Sequence, residues 1–284
     1  MRELMRLCRL RVTPVLMAAS LLAPASLHAA ERLEYLVQYK GVLSGFAWTD
    51  VSRAAIHSST LADCSGRGPC MTSTATMSSR GYAVLEAIFK VRFHTRSFYQ
   101  PRQWRTLAFE MRERKYSKQY LPYGYKHSLS VFPPGEDGID YFELGAEGEP
   151  LPAALQPFVA TDHLPAAGIR VAKVRRKPIA DDSIDRLTLL QRVRAAPLKK
   201  GYSAAYNGTN GRKQLQFRVT VLSAEDFTIA DKQWQTWKIR VDELEKGDRP
   251  VSLFAWVSRD SRKIPVKIEF DSTFGSARFV LQSW

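Results

Sequence analysis

The stretch Gln214-Leu215-Gln216-Phe217-Arg218-Val219-Thr220-Val221 places an apolar side chain at every second position and a polar one between. Successive side chains of a β-strand point to opposite sides, so this is a strand with one dry and one wet face. Trp237, Ile239 and Val241 repeat the pattern against Lys238, Arg240 and Asp242. Val266, Ile268 and Phe270 do so against Lys267, Glu269 and Asp271. Asn207-Gly208-Thr209-Asn210-Gly211, after the segment Tyr202–Tyr206, has the composition of a hairpin turn. Phe254–Val257 and Ala277–Leu281 complete an antiparallel run.

Working toward the N-terminus, Leu33, Tyr35, Val37 and Tyr39 alternate with Glu34, Gln38 and Lys40. Further strands are expected at about 46–56, 71–77, 91–99, 106–111, 115–121, 125–132 and 139–144. Two helices are expected. Val84, Leu85, Ile88 and Val91 suggest one over 81–91. The other follows Asp181-Asp182-Ser183, with Ser183 as N-cap, Arg192 and Arg194 in its last turn, and Pro197 beyond its end. Between strands and helix, residues 145–180 hold Pro150, Pro152, Pro157, Pro165 and Pro178, which predicts an irregular connection. The fold class expected is mainly β with two helices: a large curved antiparallel sheet wrapped around them, or an open half-barrel. Residues 30–284 read as a single domain.

Residues 1–29 differ in kind. Arg2, Arg6, Arg9 and Arg11 precede an uncharged apolar stretch that ends in Ser26-Leu27-His28-Ala29-Ala30. A positive head, an apolar body and a small-residue exit describe a secretory signal peptide, with cleavage expected after Ala29. An uncleaved membrane anchor is the alternative, weakened by Pro14 and Pro24. The expected location is the periplasm. The whole chain of 284 residues has 42 Lys+Arg against 28 Asp+Glu, a net charge of +14. The leader carries four Arg and one Glu, so its removal leaves +11. A content of 45% hydrophobic and 25% charged residues excludes a disordered chain.

Cys8 lies in the leader. Cys64 and Cys70 flank five residues, Ser65-Gly66-Arg67-Gly68-Pro69, and are expected to close a small disulfide loop in an oxidising compartment.

Three stretches resemble the uncharacterised bacterial DUF3108 family. They are Glu31-Arg32-Leu33-Glu34-Tyr35 with Val37, Tyr39, Gly41 and Gly45; the helix Asp182–Arg194 with Pro197-Leu198 and Gly201; and Phe254-Ala255-Trp256-Val257-Ser258-Arg259-Asp260-Ser261-Arg262-Lys263-Ile264-Pro265-Val266. The resemblance spans about 31–284 and implies an exported protein without a settled activity. By analogy it also implies open half-barrels of the lipoprotein-carrier kind (LolA/LolB-like), in which a curved sheet holds acyl chains. The cysteine loop at 61–70 and the proline-rich stretch at 145–180 depart from the family pattern. On physical grounds the third stretch reads as a hairpin, with Asp260-Ser261 in its turn.

Chemical motifs are missing from the sequence. His57, His94, His127 and His163 are far apart, and none stands at metal-ligand spacing. There is no nucleophile elbow, phosphate loop or dinucleotide fingerprint. No catalytic residue, cofactor or metal ligand is therefore assigned, although a catalytic site assembled from distant residues stays open. Glu143, Glu147 and Glu149 read as solvated loop acids. Of the basic runs, Arg112-Glu113-Arg114-Lys115 and Lys173-Val174-Arg175-Arg176-Lys177, the second is the better candidate for an anionic surface, because it falls in the proline-rich connection. Lys173, Arg175, Arg176 and Lys177 are thus the candidate contacts for anionic membrane or an envelope polyanion. Export argues against nucleic acid as partner. A lipid-facing outer-membrane barrel is disfavoured. Stepping back from Trp284 by twos meets Gln282, Val280, Arg278 and Ser276, and most strands carry Lys or Arg. The function expected is an exported periplasmic binding protein holding a lipid or other hydrophobic envelope component. The alternative is a scaffold or interaction protein of envelope assembly with a filled core; a hydrolase comes third. Oligomeric state is not set by these features.

Overall fold

The structure, a computed structural model, describes residues 30–284 except 42–43, 84–85, 87–89, 115–123, 161–167, 230, 245–250 and 273–274. The signal segment, residues 84–85 and 87–89 of the expected 81–91 helix, and the 115–121 strand fall outside the described residues. At 81–91, Glu86 N donates to Tyr82 O at helical spacing.

The strands are β1 (Glu31–Gly41), β2 (Thr49–Leu61), β3 (Cys70–Ser78), β4 (Arg92–Gln100), β5 (Arg105–Arg114), β6 (Tyr125–Val131), β7 (Ile139–Gly145), β8 (Glu149–Pro150), β9 (Arg170–Lys177), β10 (Ser203–Thr209), β11 (Gln214–Ile229), β12 (Lys232–Leu244), β13 (Val251–Ser258), β14 (Pro265–Ser272) and β15 (Gly275–Ser283). A 3-10 helix, Ala153–Phe158, follows β8, and helix α1, Arg186–Ala195, precedes β10. All described strands join one antiparallel sheet in the order β10-β11-β12-β13-β14-β15-β1-β2-β3-β4-β5-β6-β7-β9-β8. β1 lies mid-sheet; from it the strands run outward as a meander, the path crosses through α1 to the far edge and returns until β15 pairs with β1.

The sheet curls around α1. Leu189 and Val193 pack with Leu215, Phe217, Val219, Ile239, Ala255 and Val257 of β11, β12 and β13. The same helix bonds to Ser97 of β4 and Thr106 of β5. Laid flat, β11 and β5 would stand about 40 Å apart at ~4.8 Å per strand. One helix touches both, so the two arms of the sheet must face each other. Ser130 of β6 also donates to Gly211 O, in the β10–β11 turn, at 2.6 Å. The ladder is not closed, since β10 and β8 end it. The result is the expected open, barrel-like curved sheet.

Side-chain size explains the seating of α1. On β2–β4 the inward residues Ser58, Ser73 and Ser97 are small, so the helix backbone can come close. On β11–β13 the larger aliphatics reach out to it. α1 is therefore buried on both sides, through Leu187, Leu189 and Val193 and also through Thr188, Gln191 and Arg194. Its N-cap is Asp185, whose side chain accepts from Leu187 N and Thr188 N. The expected cap, Ser183, is instead buried and exchanges hydrogen bonds with the Gln214 side chain. The helix starts later than expected because Ile184 is still extended, in a parallel bridge to Gly208. A Cβ on Gly208 would meet the Phe217 ring at 2.2 Å, so that crossing requires glycine.

The expectation of an irregular 145–180 is corrected. Residues 149–150 pair with β9, and β9 itself pairs along β7 from Ile139↔Lys177 to Gly145↔Arg170. All five prolines lie outside Arg170–Lys177, and a count over the whole window hides that proline-free segment. The basic run Lys173–Lys177 is accordingly part of a regular strand.

Candidate functional site

The three family-like stretches converge on one point. The Arg194 guanidinium at the end of α1 donates to Glu31 Oε2 (2.6 Å) and Oε1 (2.9 Å) of β1. It also donates to the carbonyls of Lys263 (3.1 Å) and Arg262 (2.9 Å) in the β13–β14 turn. Lys263 Nζ reaches the Ala196 carbonyl at 2.6 Å, and Tyr35 Oη the Pro265 carbonyl at 2.8 Å. Burial raises the Glu31 pKa, but the hydrogen bonds and charges of Arg194 and Arg262 prevail and leave it lowered. With donors and acceptors matched, this node clamps helix, first strand and hairpin together. The 254–266 stretch is the expected hairpin.

A second cluster lies on the opposite, convex face. Residues directly across antiparallel strands share a face, which puts His94 and Arg96 of β4, Glu110 and Arg112 of β5 and His127 of β6 on one surface. Glu110 is fully buried and accepts from Ala160 N (2.9 Å), with His127 Nε2 at 2.8 Å. Arg96 Nε stands 3.3 Å from Glu110 Oε2, an ion pair by distance without hydrogen-bond alignment, and His94 Nε2 is 3.9 Å away. Burial raises the Glu110 pKa. The His127 hydrogen bond, the Arg96 and His127 charges and the Ala160 N–H outweigh it, so the carboxyl sits below its ordinary value. Histidines that are remote in sequence thus meet at one carboxylate, because β4, β5 and β6 are neighbours. No group of three potential ligands is arranged for a metal among the described residues.

The cover over this face is built from the two departures noted in the sequence. Leu151, Leu155, Phe158 and Val159 pack with Cys64, Cys70, Phe98, Leu129, Val131 and Leu144, and Ser65 Oγ donates to Ala154 O at 3.0 Å. The cysteine loop and the proline-rich segment therefore form one second layer on β3–β7. Because both faces are covered there, Thr106 to Glu110 is buried without a break and the strand alternation disappears. Cys64 and Cys70 are paired at disulfide distance, with Cα atoms 6.0 Å apart. Replacing both with serine is expected to cost about 2 kcal/mol in loop-closure entropy, read as a lower urea midpoint than that of the oxidised parent.

The basic run is compensated in part. Arg175 pairs with Glu143 at 3.3 Å, and Arg176 with Glu136 at 2.9 Å and Asp140 at 3.0 Å. Lys173 lies across from Glu143, and Lys177 across from Ile139. Arg112 of the other run is buried, and Lys115 lies outside the described residues. The wet strand faces carry similar pairs: Lys238–Glu225, Arg240–Asp242 and Lys267–Glu269. Such surface pairs add little stability, but they shorten the reach of the cationic field.

A cavity of about 400 Å³ opens where the two arms of the sheet face each other beside α1. The β4–β5 turn supplies Gln103 and Trp104, β5 supplies Arg105, α1 supplies Arg192, and β10 and β11 supply Tyr206, Asn207 and Gln216. Arg192 lies 4.6 Å above the Tyr206 ring, and Asn207 Nδ2 donates to both carboxylate oxygens of Asp182, at 2.8 and 2.9 Å. No local pattern marks these residues in the sequence, because they meet only where the curled edges approach.

Residues 159–282 match the DUF3108 family, described as a protein of unknown function. The expected family resemblance is borne out over that range, which leaves the cysteine loop and the 3-10 helix outside it. No curated protein matches the chain. A crystal structure of a beta-barrel-like protein of domain of unknown function DUF1849, from Brucella abortus, is 8% identical with a TM-score of 0.49, covering 90% of this chain and 96% of that one.

Proposed function

We propose that this is an exported periplasmic protein that works through its surface, as an interaction or scaffold protein of the cell envelope. The observation that carries this reading is the position of α1. A lipid carrier needs a concave apolar surface open to acyl chains. Here the inward aliphatics of β11–β13 are already buried against Leu189 and Val193, and β2–β5 present hydroxyls bonded to the helix or to each other. Export is supported by the leader-like composition of residues 1–29 and by the paired cysteines. An anionic envelope surface is the proposed partner of the β9 cations. The acids around Arg175 and Arg176 leave Lys173 and Lys177 as its main contacts.

Native mass spectrometry of the protein recovered from the periplasm tests the reading. The expected mass is that of the bare chain beginning at Ala30, and organic extraction is expected to release no stoichiometric lipid. A copurifying acyl lipid at one per chain would establish the carrier instead.

A further inference from the structure

We propose that the cavity at the seam is a binding site for a neutral saccharide, one or two sugar units of an envelope glycan. Its size falls toward the lower end of the ~300–1,000 Å³ typical of small-molecule sites. The chemistry of its walls narrows the ligand. Among the described lining residues Ala205 is the one aliphatic side chain, so apart from the Trp104 and Tyr206 rings an acyl chain has little to pack on. Arg105 and Arg192 are balanced by Asp181 and Asp182, so the site as a whole selects neither an anion nor a cation.

Three of these four charged groups are also engaged with the protein. Asp182 holds Asn207, Arg105 Nη2 donates to the Pro133 carbonyl at 2.8 Å, and Arg192 lies over Tyr206. The Gln103 and Gln216 amides make no side-chain hydrogen bond to described residues and line the opening from opposite arms. Each amide offers both a donor and an acceptor, the complement of a hydroxyl. Trp104 and Tyr206 supply aromatic surface for the C–H face of a sugar ring. Trp104 is held in place by stacking on the buried Tyr99, at 6.1 Å between centroids and 14° between planes. Its backbone φ of 52° is unfavourable for a tryptophan, and the turn holds that conformation at the rim of the cavity.

The test is heteronuclear NMR titration of the protein beginning at Ala30 with N,N′-diacetylchitobiose and with maltose, against inorganic phosphate and the dipeptide Ala-Ala. One of the disaccharides is expected to shift the Trp104 indole and Gln216 amide resonances saturably, with an affinity unchanged by added sodium chloride. Gln216→Ala, on an exposed strand position, and Trp104→Ala are each expected to weaken binding about tenfold, or ~1.4 kcal/mol, with circular dichroism unchanged for Gln216→Ala. The proposal is overturned if neither disaccharide shifts these resonances. It is equally overturned if phosphate or the dipeptide binds in preference, or if Gln216→Ala folds normally and binds as the parent does. Because lipid content is read separately, this result stands apart from that of the surface-protein reading.

Discussion

Replacing Asp185 with alanine is expected to lower the unfolding free energy by roughly 4 kcal/mol, more than the loss of a helix cap alone. Its two oxygens accept five hydrogen bonds. Oδ1 takes Leu187 N (2.8 Å) and Thr188 N (3.2 Å). Oδ2 takes the hydroxyls of Ser97 (2.5 Å), Thr188 (2.6 Å) and Thr106 (2.9 Å). Losing an N-cap costs about 1 kcal/mol. The remainder comes from hydroxyls stranded in a dry interior, at ~1–3 kcal/mol for each that finds no other partner. Ser97 and Thr106 retain contacts with Thr188 at 2.9 and 3.2 Å, which limits that loss. Asp185→Asn keeps one acceptor oxygen and is expected to fall about midway. Urea unfolding measures both. A loss near 1 kcal/mol for the alanine variant would reduce Asp185 to an ordinary cap and remove the claim that it ties α1 into the sheet.

Glu110→Gln is expected to destabilise the protein by about 3 kcal/mol at neutral pH, because it preserves shape while leaving Arg96 and His127 beside a neutral group. The pH dependence gives a sharper check. The folded Glu110 pKa is lowered from 4.5, so its contribution is complete above about that pH and is lost as pH falls through the folded value. The stability difference between parent and variant should therefore be largest at neutral pH and shrink in acid, where the parent carboxyl is itself neutral. A difference independent of pH would show that packing, not charge, dominates. Since Ala160 N binds the same carboxylate, protection of that amide from hydrogen exchange is expected to fall in the variant.

The strands were legible where one face is wet. Leu215 to Val221 and Trp237 to Val241 alternate because solvent and core lie on opposite sides, and the register follows from that pattern. Where the cysteine loop and the 3-10 helix cover the convex face, alternation gives way to continuous burial, and Glu110 in Thr106–Glu110 carries no sign of its setting. Nothing in the local sequence singles out Asp185 as the cap, for a similar reason. Asp181, Asp182 and Ser183 are equally good capping types, and only the bridge between Ile184 and Gly208 decides where the helix begins.

The sequence by itself determined that this is a mainly antiparallel β chain with a helix between Asp181-Asp182-Ser183 and Pro197, a hairpin at 254–266 and a close pair of cysteines. These are local properties, set by side-chain period, turn residues and short loop closure. Tertiary structure alone decided that α1 is seated between the two arms of the sheet, that His94 and His127 meet at Glu110, and that Trp104 and Tyr206 line one cavity. Each depends on strands far apart in the chain being brought together by sheet order and curl. Period-two patterning says which face of a strand is apolar; it does not say what the sheet will wrap around.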